Sequence, residues 1–341
     1  MIKFALIGCG RISKNHIEAI EKYQNRARIV AVCDTILQRA ESAAERTGAV
    51  SYTSYEELLK REDLDAVILS TPSGLHPKQG IMAAEKGLHV VSEKPMATSL
   101  KMADALIDVC DQNRVKLFVV KQNRLNSTLQ LLKRAVDKDR FGRIYMACVN
   151  VFWTRPQEYY DQAKWRGTWE FDGGAFLNQA SHYVDMMEWL LGPVESVMAY
   201  TATMARRIET EDTGVAALRF RNGALGNMNV TMLTHPKNYE GSITILGEKG
   251  TVKIGGIAVN KIEHWEFEEY DDDDKLIQTT DYLPPNVYGF GHTGYYQNVL
   301  DVLENGEEPN TDGREGRKSL EIILAIYKSA REGKSIPLPL D

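Results

Sequence analysis

Ile2-Lys3-Phe4-Ala5-Leu6-Ile7-Gly8-Cys9-Gly10-Arg11-Ile12-Ser13 opens the chain and decides how its first half folds. An apolar run rich in strand formers ends in a glycine turn, and a helical pattern follows from about Lys14 to Lys22. Strand, glycine turn and helix in that order are the start of a dinucleotide-binding unit. Gly8 permits the tight turn. Gly10 lets main chain approach a pyrophosphate at the positive end of the helix. Arg11 and Ile12 lie in the same turn, and Ser13 stands where a third glycine would be, so the motif needs support from elsewhere. The next apolar strand, Arg28 to Cys33, closes with Asp34. An acid at that interval accepts hydrogen bonds from both hydroxyls of an adenosine ribose and repels a 2′-phosphate, so the expected cofactor is NAD rather than NADP. A flavodoxin-like domain with a solvated Asp34 is the alternative at this point.

Strand and helix patterns go on alternating. Ala66 to Ser70 runs into Thr71, Pro72 and His76, and Leu88 to Val91 runs into Ser92-Glu93-Lys94-Pro95. A further strand, Lys116 to Val120, precedes Gln122. Ligands of an open α/β sheet bind outside the carboxyl ends of its strands. The cofactor-binding candidates are therefore Gly8, Gly10, Arg11, Ile12, Asp34, Thr71, Pro72, His76, Glu93, Lys94 and Gln122. Pro95 stiffens the main chain where Lys94 projects, and the Lys94-Pro95 peptide is expected to be cis.

From about Asn123 the texture changes to long alternating strands too closely spaced for crossover helices, and Asn222-Gly223 signals a two-residue hairpin between two of them. The fold class is α/β: an N-terminal Rossmann domain, 1–122, and a C-terminal α/β domain, 123–341, on a large, mainly antiparallel open sheet, with the late helices free to pack back on the first domain. Asp271 to Asp274 reads as a solvated loop, because four adjacent acids repel. Between the long strands, Lys164 to Trp169 and Gly173 to Asp185 form the densest polar and aromatic stretch. Asn178, His182 and Asp185 there follow helical spacing and should share one face.

The chain carries 41 Lys plus Arg against 47 Asp plus Glu, a net charge of −6, which argues against nucleic acid or an anionic membrane as partner. Four scattered cysteines without a CxxC pair suit reduced thiols, and no metal site is expected. The first residues run straight into a strand and no apolar run approaches membrane-spanning length, so a soluble cytoplasmic protein is expected.

Five ordered segments resemble one family: GCGRIS with Asp34, STPSGLHPKQGIMAAEKGLHVVSEKPMATSL, GGAFLNQASHYVD, GHTGYYQNVLDVLENGEEP and DGREGRKSLEIILAIYKSAREGK. These are similar to the glucose-fructose oxidoreductase, inositol dehydrogenase and MocA (Gfo/Idh/MocA) family, along nearly the whole chain. The resemblance implies a Rossmann domain, a C-terminal domain whose open sheet commonly forms a subunit interface, giving a tetramer or a dimer, and an active site between the two. It implies a catalytic lysine at Lys94 and a catalytic histidine at His182. Many members have an aspartate four residues before that histidine, where this chain has Asn178. An amide can orient an imidazole and bind a hydroxyl, but it cannot take up a proton.

Within the family, the segment from Val151 to Asp185 is similar to dehydrogenases that oxidise the 3-hydroxyl of UDP-N-acetylglucosaminuronic acid in bacterial surface-polysaccharide (O-antigen) synthesis, some of which use 2-oxoglutarate to reoxidise NADH. An acidic diphosphate-bearing substrate needs guanidinium forks, and Arg155 and Arg166 are the candidates. Tyr160, Trp165, Asn178, Gln179, Ser181, His182 and Lys94 complete the expected substrate set, although Tyr160 and Trp165 read equally well as core. His292 and Tyr296 lie on a late helix and are as readily structural. A myo-inositol or simple-sugar dehydrogenase and a non-catalytic NAD-binding regulator are the two alternatives.

Overall fold

The computed structural model describes residues 1–283 and 291–340. The chain divides into two compact units: Met1–Lys121 with His292–Arg317, and Gln122–Gly291 with Lys318–Asp341.

The first unit runs β1 (Ile2–Ile7), α1 (Ser13–Glu21), β2 (Ala27–Cys33), α2 (Leu37–Thr47), β3 (Val50–Tyr52), α3 (Tyr55–Leu58), β4 (Ala66–Leu69), α4 (His76–Ala84), β5 (His89–Ser92), α5 (Leu100–Gln112) and β6 (Leu117–Val119). All its strand pairs are parallel, in the order β3-β2-β1-β4-β5-β6. Phe4, Ala5, Leu6 and Val67, Ile68, Leu69 are wholly buried. These continuous apolar runs are what a sheet covered on both faces requires. The order reverses between β1 and β4, and that switch point opens the crevice where a dinucleotide lies. Late in the chain, α10 (Gly291–Asn305) brings the buried Tyr296 edge-on to Phe4, with ring centroids 6.0 Å apart. Thr311 O then accepts from Val119 N at 3.0 Å, extending the β6 edge.

The second unit contains α6 (Ser127–Asp137), β7 (Ile144–Phe152), α7 (Gln157–Asp161), α8 (Ser181–Leu191), β8 (Val194–Ala202), β9 (Thr213–Phe220), β10 (Leu225–Thr231), β11 (Glu240–Gly247), β12 (Gly250–Gly255), β13 (Lys261–Phe267), α9 (Ile277–Thr280) and β14 (Ile336–Pro337). Helix α11 (Gly313–Glu332) carries residues of both units. The sheet order is β13-β12-β11-β7-β10-β9-β8-β14, and every pair is antiparallel except β7 with β10. Along β9, Gly214, Ala216, Leu218 and Phe220 are buried while Val215, Ala217 and Arg219 are exposed. This period-2 alternation marks a sheet with one covered face. The expected fold class is the one observed.

Two local expectations need correction. The β9–β10 hairpin loop has three residues, Arg221 to Gly223, not two: Arg219 pairs with Leu225, Phe220 N bonds Ala224 O at 2.9 Å, and Gly223 takes φ +90°. A type I turn followed by a left-handed residue closes it. The acids from Asp271 to Asp274 are not a solvated loop. Arg140 grips Asp274 with bonds of 2.6 and 2.9 Å, Lys138 reaches Asp271 and Asp273, and Arg134 also reaches Asp273. Cations on and beside α6 offset the repulsion that the sequence alone suggests.

Candidate active site

In the first unit the glycine turn is built as the sequence demands. Gly8 has φ +90°, and a Cβ there would lie 2.7 Å from the Ser70 main chain. A Cβ at Gly10 would meet nothing within 4 Å, so that side of the turn is open. Ser13, in place of a third glycine, donates its hydroxyl to Gly10 O at 2.6 Å. Asp34 ends β2 and braces the turn: Oδ2 accepts from Cys9 N and Oδ1 from Ile36 N, each at 2.9 Å. Each oxygen keeps a second lone-pair direction for a ribose hydroxyl. Open glycine, helix start and acid together fit a dinucleotide. Arg11 is exposed in the turn and Ile12 half-buried. Thr71 and Pro72 follow β4, with the Thr71 hydroxyl on Gln79 Oε1 at 2.6 Å.

Two of the cofactor candidates are buried and hold neighbouring loops together. His76 is buried, with Nδ1 3.0 Å from Pro95 O and Nε2 2.8 Å from Thr71 O, so it ties the loop after β4 to the loop after β5. Burial lowers its pKa. Glu93 is likewise buried, with Oε1 3.0 Å from His16 Nε2 and Oε2 accepting from Lys94 N at 3.1 Å. Lys94 itself is half-buried, and the Lys94-Pro95 peptide is cis, as expected.

The second unit assembles around His182 near the start of α8. Gln122, expected at the cofactor, is buried with Nε2 3.3 Å from His182 Nε2. A carboxamide presents either end, so it can donate N–H to a bare ring nitrogen or accept from a protonated one. The turn carrying Gln122 is fastened to α8 by Arg124, which binds Asp185 through Nε and Nη2 at 2.8 Å each, both groups buried. The sequence shows Asp185 in register with His182 but gives no sign of this partner 61 residues earlier.

Asn178 and His182 do not share one uninterrupted helix. Ala175–Gln179 forms a π-helical turn, and α8 begins only at Ser181. The wider turn rotates Asn178 off the face that four-residue spacing implies. Its amide donates to Asp172 and its carbonyl accepts from Gln179 Nε2 at 2.9 Å. Asp172, buried, also accepts from Gly167 N at 2.6 Å, so a carboxylate lies beside Asn178 even though the position itself carries an amide. Gly174 is required by space: a Cβ there would fall 1.8 Å from Glu211 Oε2. Glu211 Oε1 accepts from Phe176 N and from the Tyr327 hydroxyl, both at 2.9 Å. Oε2 has no hydrogen-bond partner among the described residues. Burial pushes this carboxyl up to about 7.

Arg155, Arg166 and Gln179 meet around Tyr159. Arg155 Nε donates to Gln179 Oε1 at 2.9 Å, and Gln179 Nε2 reaches the Tyr159 hydroxyl at 3.2 Å. The Arg155 and Arg166 guanidinium carbons stand 5.5 and 4.2 Å from the Tyr159 ring centroid, and Arg166 also stacks on Trp165 at 4.8 Å. Arg166 Nε is buried without a hydrogen-bond partner among the described residues. Tyr160, expected here, is core; its neighbour Tyr159 holds the arginines. Trp153 is also core, its Nε1 on Ile257 O at 2.9 Å. The Ser181 hydroxyl is buried and finds no partner among the described residues.

A switch-point crevice with an open glycine turn and an acid ending β2, in a chain that also carries a histidine and paired arginines on an open-sheet unit, defines a dinucleotide-dependent oxidoreductase. Residues 2–121 match the NAD-binding Rossmann fold of one oxidoreductase family, and residues 133–339 match its C-terminal α/β domain. The chain belongs to the Gfo/Idh/MocA oxidoreductase family. It is 61% identical to the WlbA dehydrogenase of Bordetella pertussis, solved in complex with NADH and UDP-GlcNAcA; the match covers 100% of this chain and 98% of that one, with a TM-score of 0.97. The Chromobacterium violaceum WlbA dehydrogenase, solved with the same two ligands, is 59% identical over 100% of this chain and 96% of its own, with a TM-score of 0.96. Likeness to the myo-inositol 2-dehydrogenase of Thermotoga maritima is lower, 24% over 99% of this chain and 98% of that protein.

Proposed function

We propose that this protein is an NAD-dependent dehydrogenase that oxidises the 3-hydroxyl of UDP-N-acetylglucosaminuronic acid to the 3-keto sugar. The observation that carries this reading is the full-length 61% identity to a dehydrogenase solved with NADH and UDP-GlcNAcA. The paired arginines support it, because a carboxylate and a diphosphate are what guanidinium forks bind. Inositol and free glucose carry neither group, which sets the simple-sugar alternative behind.

NAD, when bound, supplies the acceptor for the hydride leaving carbon 3. His182 takes the proton from the hydroxyl, the general-base role that an imidazole most often fills. An ammonium such as that of Lys94 suits the stabilisation of charge developing on a substrate oxygen. Gln122 steadies the ring, turning whichever end of its amide the protonation state calls for. Asn178 and Gln179 orient sugar hydroxyls, and Arg155 and Arg166 hold the acidic groups.

We further propose that two or more copies associate through the uncovered face of the second sheet, as a dimer or tetramer. Met146, Tyr200, Val215 and Leu225 are large apolar side chains exposed on its strands. The four cysteines are free, and no helix among the described residues is long and apolar enough to cross a membrane. Free thiols suit the cytoplasm. The test mixes purified protein and NAD with UDP-N-acetylglucosaminuronic acid, myo-inositol or glucose, each with and without 2-oxoglutarate, and follows nicotinamide absorbance. Reduced cofactor should form with the UDP-sugar acid alone, and 2-oxoglutarate should discharge it. No reduction with any substrate would favour a regulator.

A further inference from the structure

Four side chains of the second unit form a run of hydrogen bonds in which every donor points the same way. Arg155 Nε donates to Gln179 Oε1 at 2.9 Å, Gln179 Nε2 donates to Asn178 Oδ1 at 2.9 Å, and the Asn178 amide donates to Asp172 Oδ1. The run ends on this buried carboxylate, whose other oxygen accepts from Gly167 N at 2.6 Å. Gly167 is itself held, its carbonyl accepting from Glu209 N at 3.0 Å and from Thr210 N at 3.2 Å. A guanidinium only donates and a carboxylate only accepts, so the two ends leave the amides between them one consistent orientation. Asn178 turns its N–H to Asp172, which turns its oxygen to Gln179 and the Gln179 oxygen to Arg155. Bonds that run head to tail in this way polarise and strengthen one another. Asp172 stands between two donors, the Gly167 N–H and the Asn178 amide, and its two oxygens serve one each. An amide in its place has a single oxygen and must fail one of them. If Asn178 turned over to meet such an amide, Gln179 would have to follow, bringing its own N–H against that of Arg155. A change at 172 is therefore felt at Arg155, three hydrogen bonds away.

We propose that Asp172 is a positioning residue for substrate binding: it sets the direction of the two amides that hold Arg155, and so holds the guanidinium ready for an acidic group. The same geometry calls for an amide at 178. Asn178→Asp would put two carboxylates face to face, acceptor against acceptor and charge against like charge. Combining Asp172→Asn with Asn178→Asp keeps every bond of the run. The amide at 172 then accepts from Gly167 N and donates to the acid at 178, whose second oxygen accepts from Gln179.

The proposal rests on the function proposed above, in which Arg155 holds an acidic group of the substrate, so it is tested in two arms, one of them without substrate. In the first, the Arg155 Nε–H is observed by NMR in nitrogen-labelled full-length protein, identified as the signal that Arg155→Lys removes. It should exchange slowly with water in the wild type and roughly tenfold or more faster in Asp172→Asn. Fast exchange in the wild type, or no change in the variant, would overturn the inference. A merely structural Asp172 would lower the unfolding temperature and leave this exchange alone. In the second arm, protein loaded with NADH, so that no turnover occurs, is titrated with UDP-N-acetylglucosaminuronic acid by calorimetry. Asp172→Asn and Asn178→Asp should each weaken binding roughly tenfold or more, and the double variant should bind roughly tenfold tighter than Asn178→Asp alone. Losses that simply add in the double variant would overturn the inference. A wild type that does not bind this sugar overturns the proposed substrate instead, and the exchange arm then decides the role of Asp172. Should a single variant not fold, the double variant carries the test: its Arg155 Nε–H must exchange as slowly as in the wild type.

Discussion

Arg124 and Asp185 form a buried, two-pronged ion pair, Nε to Oδ2 and Nη2 to Oδ1, each at 2.8 Å. It fastens the turn carrying Gln122 to the helix carrying His182. Arg124→Ala removes both of these bonds from the buried Asp185 carboxylate, and losing one partner of a buried pair costs about 3 to 5 kcal/mol. A clear fall in unfolding temperature is expected. Turnover should fall in whatever protein remains folded, and Arg124→Lys should rescue only partly because an ammonium cannot make both bonds. Calorimetry and steady-state rates check both.

The arginines around Tyr159 should govern substrate affinity. Arg166→Ala or Arg155→Ala removes charge-assisted bonds each worth about 1.5 to 3 kcal/mol, so KM for the UDP-sugar acid should rise about 10- to 100-fold. Affinity for NAD, measured by titration calorimetry, should change little. Arg166→Lys should not restore KM, because the planar group stacked on Tyr159 and Trp165 is lost.

Asp34 can be tested with half of its bracing role kept. Asp34→Asn retains a carbonyl for Cys9 N–H but loses the acceptor for Ile36 N–H and the charge that repels a 2′-phosphate. The kcat/KM ratio for NADP over NAD should rise about tenfold or more, each factor of ten being about 1.4 kcal/mol. An unchanged ratio would mean that Asp34 does not meet the ribose.

Glu211 should leave a mark on stability against pH. Its folded pKa is raised from 4.5 to about 7, so the stability it contributes is complete below about pH 4.5 and is lost as pH rises through 7. Glu211→Gln has no charge to bury. Its unfolding temperature should match the wild type near pH 5 and exceed it at pH 8, by up to about 3 kcal/mol in stability. A constant offset across that range would refute the assignment.

What the sequence disclosed follows the range of the interactions involved. The glycine turn from Gly8, the acid at Asp34 and the Lys94-Pro95 loop were readable because strand, turn and helix signals are local and the doubly wound topology places their loops at one sheet edge. The π-helical turn at Ala175–Gln179 was not, because spacing of four residues cannot distinguish a widened turn from a regular one. Tyr159 was not singled out beside Tyr160 because adjacent residues on a five-residue helix give no periodicity to choose by. Arg124 with Asp185, Gln122 with His182, and Glu93 with His16 join residues 60 to 77 positions apart, which pairing in space alone reveals.

The central claim is hydride removal from carbon 3 of a UDP-sugar acid, and isotope transfer tests it most directly. The enzyme is incubated with UDP-N-acetylglucosaminuronic acid deuterated at carbon 3, and cofactor and sugar are analysed by mass spectrometry. The deuterium should appear in the reduced nicotinamide while the sugar loses it on becoming a ketone. Reduced cofactor without deuterium, or a product that retains the label, would contradict the assignment.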